Sequence, residues 1–230
     1  MSGRATKRRI YHLLNSPDLA SALDVISRLP RRQVINPLFS LLYNREQDVR
    51  WAAVKVMGAV VAKLADEDME SARIIMRRLM WNLNDESGGI GWGSPEAMGE
   101  ILANHEGLAK EYAPIMISYA MVNGNYLEHE ILQRGLLWGI GRLGQVRPHL
   151  LKKAAQHLLP YLDSPDATVR GLASRAVGVL KLDEARAKLK SLRGDKNEIQ
   201  IYKDHKVVNC RVMDLAEEAL KGLEYRGKSK

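Results

Sequence analysis

Along the chain, apolar or small residues recur at offsets 0, 3, 4, 7, 8 and 11 from five anchors, Val49, Ile90, Leu132, Val169 and Val212. The first copy supplies Val49, Ala52, Ala53, Val56, Met57 and Val60; the fourth supplies Val169, Leu172, Ala173, Ala176, Val177 and Leu180. On a helix of 3.6 residues per turn these offsets fall on one stripe, so each copy predicts one amphipathic helix. The anchors stand 41, 42, 37 and 43 residues apart. A period of that length marks a stacked array of repeats.

Between the five helices lie second helical stretches at about 33–43, 68–83, 108–122, 148–162 and 183–192, several closed by turn chemistry such as Asn123-Gly124-Asn125 or Asp163-Ser164-Pro165-Asp166. Pro37 and Pro114 fall inside two of them and predict kinks or late starts there. One helix pair cannot cover its own apolar stripe. At about 1.5–3 kcal/mol per fully buried aliphatic side chain, stacking of neighbouring pairs is the stable solution. Ala53, Ser94, Ala173 and Ala216, with Gly58, Gly99 and Gly178, are small enough to let adjacent helices approach. Ser16 followed by Pro17 predicts a helix start in an N-terminal cap. Ile199-Gln200-Ile201-Tyr202 and Lys206-Val207-Val208, either side of Asp204-His205, predict a short hairpin before the last helix.

Val49 and Arg50 with Ala53 and Gly58, and Val169 and Arg170 with Ala173 and Gly178, resemble the second helix of HEAT repeats in the short bacterial form called PBS-lyase HEAT-like. The resemblance spans about residues 33–223. It implies an all-α fold, an α-α superhelix or solenoid of about five helix pairs. The chain then reads as one domain over 1–230, with an N-terminal helical cap at 6–30, repeats at about 31–65, 66–106, 107–145, 146–181 and 182–224, and the hairpin insertion near 198–209. Such solenoids serve as scaffolds, bilin lyases, a di-iron hydroxylase and DNA glycosylases, so the resemblance speaks for fold and leaves function to the site.

Composition narrows the classes. The apolar share is 46% and the charged share 27%, as in a folded globular chain. A single cysteine, Cys210, excludes an internal disulfide framework and a Cys-rich zinc module; it reads as a small packed residue. No run of 18 apolar residues appears, which excludes a membrane span and leaves the cytoplasm as the expected location. The net charge of +8 alone would suggest nucleic acid, but its distribution argues otherwise. From Leu79 to Gln133 one base, Lys110, faces eight acids, leaving that segment at −7 and the rest of the chain at +15. An acidic centre disfavours a phosphate backbone and suits a basic partner. Arg4, Lys7, Arg8 and Arg9 and the basic C-terminus read as solvated tails.

The second repeat breaks the pattern. Gly88, Gly89, Gly91 and Gly93 precede Ser94-Pro95, a fresh helix start, so the helix there begins late after a glycine-rich loop. That loop is expected to set Trp81, Asp85, Glu86 and Trp92 around a ligand. It lacks the ending and spacing of a phosphate-binding loop.

His105-Glu106 and His129-Glu130 are off the register at which the di-iron HEAT hydroxylase carries its His-Glu pairs, so no metal and no cofactor is expected. The DNA alkylpurine glycosylases of the fold use a Trp, an Asp four residues on and a later Arg; Trp81, Asp85 and Arg134 resemble that set, although no further aromatic stands near Ser174. The alternative reading is therefore catalysis by these three, with Asp85 stabilising charge on the sugar. The main expectation is a binding or scaffold module without catalytic residues, recognising a protein or cationic ligand. Its surface would comprise Trp81, Asp85, Glu86, Trp92, Glu96, Glu100, Glu128, His129, Glu130 and Arg134.

Overall fold

The computed structural model describes residues 3–16, 18–84 and 91–224. The fold is an all-α helical solenoid with one hairpin insertion. Its helices are α1 (Gly3–Leu14), α2 (Leu19–Ser27), α3 (Arg31–Leu41), α4 (Gln47–Glu67), α5 (Met69–Leu83), α6 (Ser94–Asn104), α7 (Glu106–Ser118), α8 (Glu130–Val146), α9 (Ala167–Val179), α10 (Arg186–Ser191) and α11 (Val212–Glu224). The chain divides into two compact units, residues 1–108 and 109–230.

In the first unit α4 packs against α3, α5 and α6, and α1 packs against α3. The repeat stripe does this work: Val49, Ala53, Val56 and Met57 are all fully enclosed. Gly58 allows the approach of α6, since a Cβ there would stand 2.5 Å from Glu100 Cγ. In the second unit α9 is the central helix, packing on α8, α11, a 3₁₀ run and the first hairpin strand. Gly178 plays the corresponding part, with its would-be Cβ 2.6 Å from Ala219 Cβ.

The N-terminal start is shifted. Asp18, not Ser16, caps α2, its carboxylate accepting the Ser21 amide at 3.0 Å and the Ser21 hydroxyl at 2.5 Å. The basic residues at 4, 7, 8 and 9 are not a loose tail but part of α1, which buries Thr6, Ile10 and Leu14. Helices α3 and α7 run through Pro37 and Pro114. The stretch at 148–162 is 3₁₀ rather than α, over Pro148–Leu150 and Lys152–Asp163. The fifth pair begins with a 3₁₀ turn and the short α10.

The hairpin is present as β1 (Glu198–Lys203) and β2 (Lys206–Arg211), antiparallel with Ile199 opposite Cys210 and Ile201 opposite Val208. Asp204 and His205 at its tip both have positive φ, 51° and 65°, as a two-residue twisted turn requires. Trp138 anchors it to α8: its indole Nε1–H donates to the Tyr202 carbonyl at 2.8 Å, and the two rings lie 6.1 Å apart. Cys210 is half-buried on β2, and burial pushes its thiol pKa up, as in an unreactive thiol.

Candidate functional site

The residues expected to form one surface are distributed over both units. In the first, Trp81 is 73% exposed near the end of α5 and Trp92 is 37% exposed ahead of α6. Helix α6 starts late, as the glycines and Ser94-Pro95 imply, with Gly93 at φ +74° where a Cβ would stand 2.8 Å from the Leu42 carbonyl. Asp85, Glu86, Gly88 and Gly89 lie outside the described residues.

Two of the acids named from the sequence are corrected. Glu100 is 1% exposed and is consumed internally, taking a salt bridge from Lys55 Nζ at 2.5 Å and a hydrogen bond from Asn104 Nδ2 at 3.0 Å. It offers nothing to a partner. Glu96, in the first turn of α6, has its Oε2 enclosed without a hydrogen-bond partner. Burial pushes its pKa up to about 7, against a backbone amide hydrogen bond and the charge of Arg50, which pull it down. The residue is partly buried, with that oxygen fully enclosed.

Arg134 is likewise committed. Its guanidinium makes a two-point contact with Asp166, Nε to Oδ1 at 3.1 Å and Nη2 to Oδ2. Asp166 also caps α9 through the Val169 amide at 2.8 Å. The pairing therefore ties α8 to the start of α9. Arg170 does the same one step later, holding Asp195 at 2.7 Å and the Ser164 and Pro165 carbonyls. With Arg134 so occupied and Asp85 outside the described residues, the glycosylase set has no structural support.

Glu128, His129 and Glu130 fare differently. Glu128 and Glu130 line a groove of about 520 Å³ in the second unit, walled by the loop after α7, the start of α8 and the end of the 3₁₀ run. Glu128 and Glu130 are exposed and have no ion-pair partner among the described residues. Glu130 lies in the first turn of α8, where the helix dipole favours a carboxylate. His129 is itself the N-cap, its Nδ1 accepting the Ile131 amide at 3.3 Å, so that nitrogen is committed to the helix. A third acid in the wall, Asp163, is held by Lys188 at 2.5 Å.

Side chains that the periodicity hides complete this groove. The Tyr126 and Tyr161 rings lie 6.5 Å apart, and Val122 beside them is 77% exposed. Buried Gln133 staples the loop, its Nε2 donating to the Leu127 carbonyl at 2.8 Å and the Tyr126 hydroxyl at 3.2 Å. The Tyr161 hydroxyl donates to the Ala120 carbonyl at 3.2 Å, and burial, then neighbouring Tyr126, raises its pKa, so it stays a neutral donor. Asn123-Gly124-Asn125 signals a turn in the sequence, but nothing there points across to Tyr161. Among the described residues no His, Cys, Asp and Glu cluster could hold a metal ion.

These features define a helical-repeat solenoid with an acidic, tyrosine-walled groove. The chain is 20% identical to a designed armadillo repeat protein, with 94% of this chain and 98% of that one aligned at a TM-score of 0.51. A second designed armadillo repeat protein, solved in complex with the peptide (KR)4, is 19% identical over 94% of this chain and 98% of its own, at a TM-score of 0.53. In sequence, an uncharacterised protein of Archaeoglobus fulgidus is 25% identical over 183 residues, covering 77% of this chain and 91% of that protein. No family model matches the chain. Among the described residues no helix is long and apolar enough to cross a membrane.

Proposed function

We propose that the protein is a non-catalytic binding module of the HEAT-like kind and that its groove in the second unit receives a Lys- or Arg-bearing segment of a partner protein. The observation that carries this reading is the pair Glu128 and Glu130, two exposed carboxylates with no ion-pair partner among the described residues, beside the walls made by Tyr126 and Tyr161. A cationic side chain entering there meets opposite charge at the rim and tyrosine rings below, which attract cations through their faces. Exposed Val122 and the prolines Pro160 and Pro165 give the aliphatic stem of such a side chain an apolar rest. A solenoid of this fold with a bound (KR)4 peptide offers a precedent for the ligand class.

The test is titration of the full chain with a (KR)4 peptide at low salt, repeated with E128Q/E130Q. Each exposed charge contact contributes about 0.2–1 kcal/mol, so the double variant is expected to weaken binding about 2- to 30-fold. Absence of peptide binding, or equal binding by the double variant, overturns the reading.

A further inference from the structure

The second surface concerns α1 and is independent of the groove at Glu128 and Glu130. Helix α1 buries Thr6, Ile10 and Leu14, and this fixes which side chains remain outside. Arg4, Lys7, Arg8 and Tyr11 stand at i, i+3, i+4 and i+7, one continuous stripe beside the buried one. They line a groove of about 330 Å³ whose other wall is Ser40, Leu41 and Asn44 at the end of α3. Arg4, Lys7 and Arg8 are exposed and make no ion pair among the described residues. No carboxylate lines the groove. Glu46 nearby accepts the Tyr11 hydroxyl at 2.7 Å. Asn44 Oδ1 is taken by the Glu46 amide at 2.9 Å, which leaves its NH₂ as a donor.

We propose that this α1 stripe is a docking surface for the phosphate backbone of duplex nucleic acid, bound without base readout. Three cations on a helix face, with the Asn44 amide as a neutral donor alongside, are the side-chain types that contact phosphate and sugar. The large apolar residues Ile10 and Leu14 of α1 are turned inward and Leu13 is partly covered, so no broad exposed hydrophobic face is left to enter a lipid surface. The one aromatic in the groove, Tyr11, is engaged by Glu46 and lies edge-on to His12, 5.7 Å between ring centres, so no stacking platform serves single strands. The acidic segment that argued against nucleic acid in the sequence begins at Leu79 and includes none of these groove residues.

Fluorescence anisotropy of a labelled mixed-sequence duplex with the full chain tests this. Three phosphate contacts predict a log–log salt slope of about −2.7, which is about 40-fold weaker binding at 200 mM than at 50 mM salt. R4A/K7A/R8A is expected to lose at least about tenfold in affinity at 50 mM salt and to flatten the slope. The charge-preserving R4K/R8K should keep both, and K190A/K196A/K221A, exposed cations elsewhere, should change neither. Wild-type binding by R4A/K7A/R8A, or equal loss in the two alanine triples, overturns the proposal. So does tighter binding to single strands, to anionic lipid vesicles or to a poly-glutamate peptide than to the duplex.

Discussion

Lys55 Nζ lies 2.5 Å from Glu100 Oε1, joining α4 to α6 through a carboxylate that is 1% exposed. Taking one partner away leaves the other charged in a site built to exclude water. Lys55→Met is therefore expected to destabilise the fold by about 3–5 kcal/mol, read as the shift in a urea unfolding curve. The double change Lys55→Met with Glu100→Leu, which removes both charges, should recover most of that loss. If K55M alone costs nothing, the pair is not the coupling between these helices.

Glu96 gives the protein a pH signature. Its folded pKa of about 7 stands above the ordinary glutamate value of 4.5, with burial as the main cause. The folded state therefore holds this proton more tightly than the unfolded chain. Stability from this site is complete below about pH 4.5 and declines as pH rises to about 7, by up to about 3 kcal/mol in all. Glu96→Gln mimics the protonated form. The variant should match the wild type near pH 4 and become progressively more stable than it toward pH 8. A stability difference that is flat with pH would show that the carboxylate is solvated.

How far the sequence reaches is visible from these two acids. Both lie in the repeat whose helix start at Ser94 is legible, because Gly93 and Pro95 punctuate the chain locally. Helices α4, α8, α9 and α11 are legible too, since Val49, Leu132, Val169 and Val212 each carry a stripe read within one helix; the second anchor, Ile90, lies outside the described residues. The hairpin is legible from its β-branched flanks and the Asp204-His205 tip. What is not legible is pairing across distance. Glu100 looks like a surface acid until Lys55, 45 residues earlier, is seen to meet it. The Tyr126–Tyr161 wall has the same character, being assembled from a loop and a 3₁₀ run that no periodicity connects. The helical stretch expected at 148–162 is 3₁₀ in form, a distinction that apolar spacing does not make.

Close helix approach at Gly178 is a testable part of the repeat stacking. A Cβ there would lie 2.6 Å from Ala219 Cβ and 2.7 Å from Ala219 Cα, and a backbone atom cannot step aside as a side-chain end can. Alanine would gain about 1 kcal/mol in helix propensity. Overpacking costs about 1–3 kcal/mol, so Gly178→Ala is expected to lower the melting temperature by a few degrees. Gly194 has nothing within 4 Å of its would-be Cβ, and Gly194→Ala should leave the melting temperature nearly unchanged. Equal behaviour of the two variants would remove the case for close packing of α9 on α11.

Gln133 separates shape from charge in the groove. It is 5% exposed and carries no charge, yet it fixes the loop bearing Tyr126 and Glu128 by donating to the Leu127 carbonyl and the Tyr126 hydroxyl. Gln133→Leu removes no charge but releases that loop and leaves the buried carbonyl unpaired, a cost of about 1–3 kcal/mol in stability. If the groove captures cationic segments through a preset arrangement, Q133L should weaken (KR)4 binding while leaving its salt dependence unchanged. E128Q/E130Q should instead reduce both affinity and salt dependence, since it removes the charges that salt screens. Titrations at two ionic strengths distinguish the two effects. Full-strength binding by Q133L would mean that the carboxylates act alone and that the tyrosine wall is scaffolding.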